Sequence, residues 1–249
     1  MLHRARRGTG RRAQAEAVAQ AIRDDAITAV VQPVVRLQGG ATIGFEALAR
    51  IGDRAEGPSR WLDHASDAGL RVELELACLR AAARLGPPPG DTLLFVNVSP
   101  ATLADPRVDD ICADLAGNLV VEITERDQVE DYGALRRWRD TWRGRGVSLA
   151  VDDTGAGHAT LRHVLELEPD VVKLDRELVT GLDGHRPRWA LIAALRVFAD
   201  EVGATVVAEG VERPEEVRSL VNAGVDLAQG FVLGRPGQAW VAGRLPVPA

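Results

Sequence analysis

The sequence predicts an α/β fold: a TIM-like (β/α)8 barrel in which strand one runs antiparallel to strand two. Two observations carry that expectation. Eight short runs rich in Val, Ile and Leu recur along the chain, and segments with helical spacing lie between them. Strands alternating with helices argue for a parallel sheet, and eight strands in about 220 residues fit one closed barrel. The runs are almost continuously apolar rather than alternating, as expected of strands buried on both faces.

The first two runs, ITAVVQPVV (27–35) and TIGFEALA (42–49), are joined by a linker too short for a helical crossover. Its Gly39-Gly40 pair is a hairpin signal, which is why strands one and two are expected to be antiparallel. LGPPPGD (85–91) stops a helix and stiffens the approach to the third run, TLLFVNVS (92–99). Ser99 then suits a helix N-cap and Pro100 the first helical position. The fourth run is LVVEIT (119–124). After it, Tyr132, Leu135, Trp138 and Trp142 fall at spacings of three and four, so 131–143 reads as a helix packed onto the sheet by its tryptophans. VSLAVDD (147–153) and DVVKLD (170–175) are the fifth and sixth runs. Trp189, Ile192, Leu195, Phe198 and Val202 mark a second amphipathic helix over 188–202. ATVVAEG (204–210) precedes a helix opening at Pro214 with acids in its first turn, and VDLAQGFVL (225–233) is the eighth run.

Composition narrows the function classes. At 249 residues, 46% hydrophobic and 27% charged, the chain is ordinary globular protein. No apolar stretch is long enough for a spanning helix, and the basic N-terminus lacks the apolar core of a secretory signal. The first twelve residues hold five arginines and no acid, so the remainder sets 25 basic residues against 36 acidic ones. Residues 1–13 are expected to be a basic disordered tail and 14–249 a single barrel domain. The acidic body argues against a duplex nucleic-acid partner, because such binding needs Lys and Arg against phosphates. Cys78 and Cys112 form neither a CxxC pair nor a disulfide framework, so a reduced, cytoplasmic setting is expected.

The chemistry is written at the strand ends. Strand two ends in Glu46, three in Asn97, four in Glu122, and five in Asp152 and Asp153. Strand six ends in Lys173 and Asp175, seven in Glu209 with Glu212 just beyond, and eight in Gln229. In a barrel these ends converge on one rim, where barrel enzymes carry their sites. Any one of these acids alone reads as a cap or a solvated rim group; the set does not. Two carboxylates 4 Å apart repel by roughly 4 kcal/mol at an effective dielectric of about 20, so the cluster must take up protons or bind cations. Carboxylates and one amide, without Cys or His, select Mg2+, Mn2+ or Ca2+. Adjacent aspartates suit a two-metal site for in-line attack of water on a phosphodiester, with Lys173 near the developing charge. The five histidines show no ligand spacing, and GAGHAT lacks the third glycine of a dinucleotide fingerprint.

QPVV (32–35), FEALAR (45–50), NVSP (97–100), VEITE (121–125), VDDTGAG (151–157), DVVKLD (170–175), AEGVE (208–212) and QGFVLGRP (229–236) together resemble the ordered motifs of the EAL domain. That family hydrolyses cyclic di-GMP to linear pGpG. The resemblance implies that Glu46, Asn97, Glu122 and Asp152 hold one Mg2+ or Mn2+, and that Asp152 and Asp153 hold a second, with Ca2+ inhibitory. It implies a catalytic set of Lys173 and Glu209, which orient or deprotonate water, with Glu212 supporting the pocket. Gln32, Leu48, Arg50, Asp175 and Gln229 would contact the nucleotide, and Glu125 would brace the loop after strand five. A homodimer is implied as well. The departures lie in that loop, where Thr154 replaces the usual Phe, Ala156 the Thr, and His158-Ala159-Thr160 the Tyr-Ser-Ser. The first expectation is therefore an active phosphodiesterase. The alternatives are a catalytically weak or inactive cyclic di-GMP receptor and a protein-interaction module with a vestigial site.

Overall fold

The computed structural model describes residues 2–52, 57–124, 129–155 and 159–246. It opens with helix α1 (Leu2–Arg23), followed by the hairpin β1 (Ile27–Arg36) and β2 (Thr42–Ile51). Helices α2 (Pro58–Ala68) and α3 (Arg71–Ala83) lead to β3 (Leu93–Asn97), α4 (Pro100–Leu103), α5 (Arg107–Leu115) and β4 (Leu119–Thr124). Then come α6 (Tyr132–Arg143), β5 (Val147–Thr154), α7 (Ala159–Leu167), β6 (Val171–Leu174), α8 (Arg176–Val179) and a 3-10 turn at Leu182–Gly184. The chain continues through α9 (Arg186–Glu201), β7 (Thr205–Ala208), α10 (Pro214–Asn222) and β8 (Leu227–Gln229). Ser99 accepts from Thr102 N as the cap of α4, and Pro214 opens α10, both as the sequence predicts.

The eight strands close a barrel in chain order. β1 is antiparallel to β2 and, across the closure, to β8, while the other neighbours are parallel. The hairpin reading of Gly39-Gly40 is therefore realised, and reversing one strand gives the barrel two antiparallel seams.

Residues 2–13 fall in the N-terminal part of α1. The AQAEAVAQAIR segment is rich in strong helix formers, which carry the helix beyond the arginines. Val18 and Ala21 bury against Ile27, Ile51, Leu74 and Ala77, anchoring the C-terminal end of α1 to the hairpin and α3.

Alternation along the strands separates two cores. The larger one fills the space between strands and outer helices, with Leu94, Val96, Val121, Leu149, Val151, Val172 and Val206 among its members. Trp142 is buried in it and Trp138 packs alongside, so α6 seats on the sheet through its tryptophans. The smaller core lies inside the barrel and comprises Val34, Phe95, Val120, Ala150, Val171, Val207 and Leu227. Two residues toward the rim from each of these stands a polar group: Gln32, Asn97, Glu122, Asp152, Lys173, Glu209 and Gln229. Side chains two apart on a strand share a face. The apolar layer is thus a floor, and the polar layer above it is the site.

Candidate functional site

Lys173 stands at the centre of the polar layer with no exposed surface. Its Nζ lies 2.5 Å from Glu209 Oε1, 2.7 Å from Glu122 Oε1, and 3.7 Å from both Glu46 Oε2 and Asp152 Oδ2. One cation thus faces four carboxylates contributed by β2, β4, β5 and the end of β7. The Lys173 ammonium and both Glu122 oxygens make no hydrogen bond of good angle among the described residues, although all three atoms are buried.

The amides tie the remaining acid in place. Asn97 Nδ2 donates to Glu46 Oε1 at 2.9 Å, and Gln229 Nε2 donates to Glu46 Oε2 at 2.7 Å. Gln229 also reaches Gln32 Oε1 at 3.2 Å, and Gln32 Nε2 donates to the Gly234 carbonyl at 2.9 Å. Register favours this network, because Gln32 pairs with Glu46 and Asn97 with Glu122 across neighbouring strands.

The adjacent aspartates are separated by a break in the ladder. Pairing of β5 with β6 shifts between Val151 and Thr154, and Asp153 sits at φ +55. A strand would send neighbouring side chains to opposite faces; the left-handed residue turns Asp153 toward the rim beside Asp152, whose Oδ1 accepts from Asp153 N at 2.8 Å. The turn therefore begins at Asp153 itself, within a strand that continues to Thr154. Gly155 follows at φ +108, where a Cβ would lie 2.3 Å from Leu178 Cδ1.

Burial and mutual repulsion dominate the electrostatics. Burial pushes Glu122 well above the usual carboxylate range, against the pull of Lys173 and with the help of Glu46, Asp152 and Glu209. Asp152 is raised by burial first and then by Glu46, against Lys173 and the hydrogen bond from Asp153 N. Glu209 is pushed up to about 8, by burial first and then by Asp152 and Glu46. Burial alone would depress Lys173, but the carboxylates, Asp152 and Glu122 foremost, hold it well above its usual value.

This donor set fits a hard divalent cation. Asp152, Asp153 and Glu209 each offer an oxygen within 4.8 Å of the others, and the Glu122 oxygens are buried with the Lys173 ammonium beside Oε1 but no hydrogen bond of good angle among the described residues. Acids crowded so closely and short of protein donors are suited to share a cation.

Other residues singled out from the sequence fall around this centre. Leu48 and Arg50 line a cavity of about 430 Å3 that reaches from Asp152 and Asp153 to Ser59 and Leu62 of α2 and Glu75 of α3. Asp175, expected to touch the nucleotide, lines neither this cavity nor the smaller one at the opposite side of the rim. It caps α8, its Oδ1 accepting from Glu177 N at 2.5 Å, because β6 ends at Leu174 and the backbone has left strand alternation. Glu212 pairs with Arg176 Nη2 at 2.9 Å. Glu125 lies outside the described residues, as do Ala156 and His158. The strand-end reading passed over Arg176 and Phe231, which line the smaller cavity of about 110 Å3 with Gln32, Glu46, Glu209, Glu212 and Gln229. Both come two residues after a strand ends, where side-chain direction is no longer set by alternation.

The EAL-domain family model matches residues 15–236. The chain belongs to the EAL-domain family. An uncharacterized protein of Mycobacterium tuberculosis is 31% identical over 234 residues, covering 86% of this chain and 37% of its own length. The cyclic di-GMP phosphodiesterase PdeL of Escherichia coli is 26% identical over 236 residues, covering 89% of this chain and 65% of its own. This EAL chain thus spans only part of the curated relatives it matches. Among solved structures, PaMucR phosphodiesterase in complex with c-di-GMP superposes with a TM-score of 0.78 at 27% identity, covering 90% of this chain and 96% of that one. BlrP1 of Klebsiella pneumoniae, in a calcium and cyclic di-GMP complex, gives 0.76 at 29% identity, covering 88% and 57%. Among the described residues of this EAL domain, no helix is long and apolar enough to cross a membrane.

Proposed function

We propose that this EAL domain hydrolyses cyclic di-GMP to linear pGpG in the cytoplasm, with Mg2+ or Mn2+ bound by its rim acids. The observation that carries the reading is the convergence of Asp152, Asp153 and Glu209 above a buried lysine. Glu46, Asn97, Glu122 and Asp152 would hold one ion, and Asp152 with Asp153 a second. Bound there, the ions would lower the pKa of water and neutralise charge on the phosphodiester. Glu209 would serve as general base once the ions displace its proton; its pKa is pushed up to about 8 and its side chain is 20% exposed toward the rim. Lys173, fixed between Glu122 and Glu209, would orient that base toward the attacking water. Gln32 and Gln229 would hold Glu46 in position, while Leu48 and Arg50 would meet the nucleotide in the larger cavity. The chain would act as a homodimer through α7, where Leu161 and Leu165 are 47% and 62% exposed.

The test is turnover of cyclic di-GMP by purified protein in Mg2+ or Mn2+, with and without chelator. Formation of pGpG that stops on chelation and falls at least about 100-fold in Glu46→Ala is expected. The altered residues at 154, 156 and 158–160 favour a second reading, a receptor that binds without turnover. Calorimetric binding of cyclic di-GMP without pGpG in either metal would replace the first reading with that one.

A further inference from the structure

The smaller rim cavity is lined by three carboxylates, Glu46, Glu209 and Glu212, and among the described residues by one cation, Arg176. The rest of that lining is uncharged, so a phosphodiester entering the cavity meets three carboxylates and that single cation. Lys173 is not available for the purpose, because its ammonium is fully buried among four carboxylates.

Arg176 is held in place from two directions. Its side chain crosses Gly210, where an added Cβ would lie 2.4 to 2.8 Å from Arg176 Cγ, Cβ and Cδ, and where φ is +63. Beyond the glycine, Glu212 Oε1 holds Nη2 at 2.9 Å. The two side chains are 60% and 40% exposed, and ion pairs that exposed add little to folding. A bare, left-handed glycine and an ion pair of small structural worth are thus set together at the mouth of an acidic cavity. A guanidinium carries five donors in a fixed fork, so one contact to Glu212 leaves others for phosphate oxygens.

We propose that Arg176, laid across Gly210 and steadied by Glu212, binds an anionic phosphate of the substrate at the β7–β8 side of the rim. The inference rests on the phosphodiesterase reading. Glu212 is then a positioning residue for the guanidinium rather than a carrier of protons.

The experiment compares wild type, Arg176→Gln, Arg176→Lys and Gly210→Ala for kcat and KM on cyclic di-GMP across a salt series, with thermal midpoints alongside. Loss of a charge-assisted contact should raise KM about tenfold in Arg176→Gln with kcat within about threefold, and Arg176→Lys should recover part of the loss. The variant should also lose salt dependence of KM, which a merely structural role would not alter. Gly210→Ala should raise KM likewise without changing any charge, because its Cβ displaces the arginine. A KM within about twofold of wild type in Arg176→Gln, with an unchanged salt slope, overturns the proposal. If wild type binds cyclic di-GMP without turnover, the same comparison is made on calorimetric Kd and decides in the same way. If wild type neither binds nor cleaves it, the phosphodiesterase reading and this proposal fall together, in the wild-type arm rather than in the variants.

Discussion

Lys173 is the group on which the rim chemistry turns at the scale of single residues. Four carboxylates around one buried ammonium leave an excess of negative charge, and the acids respond by holding protons. Glu209, displaced from an ordinary 4.5 to about 8, is the clearest case. Between those values the metal-free folded protein binds a proton that the unfolded chain has released. The stabilisation is therefore complete below 4.5 and is lost as pH rises through 8, with a slope on the order of 1.4 kcal/mol per pH unit for one such proton. Chemical denaturation of the chelated protein between pH 5 and 9 should show stability falling with pH. Adding Mg2+ should flatten the slope, since a cation replaces the proton. Calorimetry in two buffers of different ionisation enthalpy should register proton release on metal binding.

At the scale of elements, the rim depends on how strands hand over to helices. The junction of β3 and α4 is pinned from α3 by Glu75, which is buried. Its Oε2 accepts from Ser99 N at 3.0 Å, from Ser99 Oγ at 2.6 Å and from Thr102 Oγ1 at 2.6 Å, and its other oxygen pairs with Arg71. Ser99 stands two residues past Asn97, so the same carboxylate steadies the strand end that presents this amide to Glu46. Glu75→Leu strands two buried hydroxyls, a backbone donor and a guanidinium partner. Urea denaturation should show a loss of about 2–4 kcal/mol. Asn97 would lose its register, so metal affinity should weaken as well.

At the scale of the whole molecule, closure of the barrel decides what becomes neighbours. Glu46 on β2 and Gln229 on β8 are 183 positions apart in sequence and 2.7 Å apart in space, because β1 bridges their strands antiparallel to both. The outside of the barrel is less complete. Leu161 and Leu165 lie one turn apart on α7 and remain exposed, consistent with the homodimer proposed above. Leu165→Glu should shift sedimentation toward the monomer while changing monomer stability by no more than about 0.5 kcal/mol. An unchanged sedimentation coefficient would remove α7 from the interface.

What the amino-acid order determined by itself was everything governed by local periodicity. Apolar runs of the right length became strands, Gly39-Gly40 turned the first pair back on itself, and Ser99, Pro100 and Pro214 set helix starts. The polar residue two positions beyond an apolar one, as in Phe95 and Asn97 or Val171 and Lys173, was legible because strand alternation is a local rule. Only the tertiary structure decided what happens where alternation stops. Asp175 looks equivalent to Lys173 in the sequence, yet it leaves the strand and caps a helix. Asp153 should face away from Asp152, yet a left-handed residue and a slipped ladder turn it toward its neighbour. Arg176 reaches its cavity only because Gly210, from another strand end, leaves room for its side chain. These are contacts between segments far apart in the chain, fixed by packing and barrel closure.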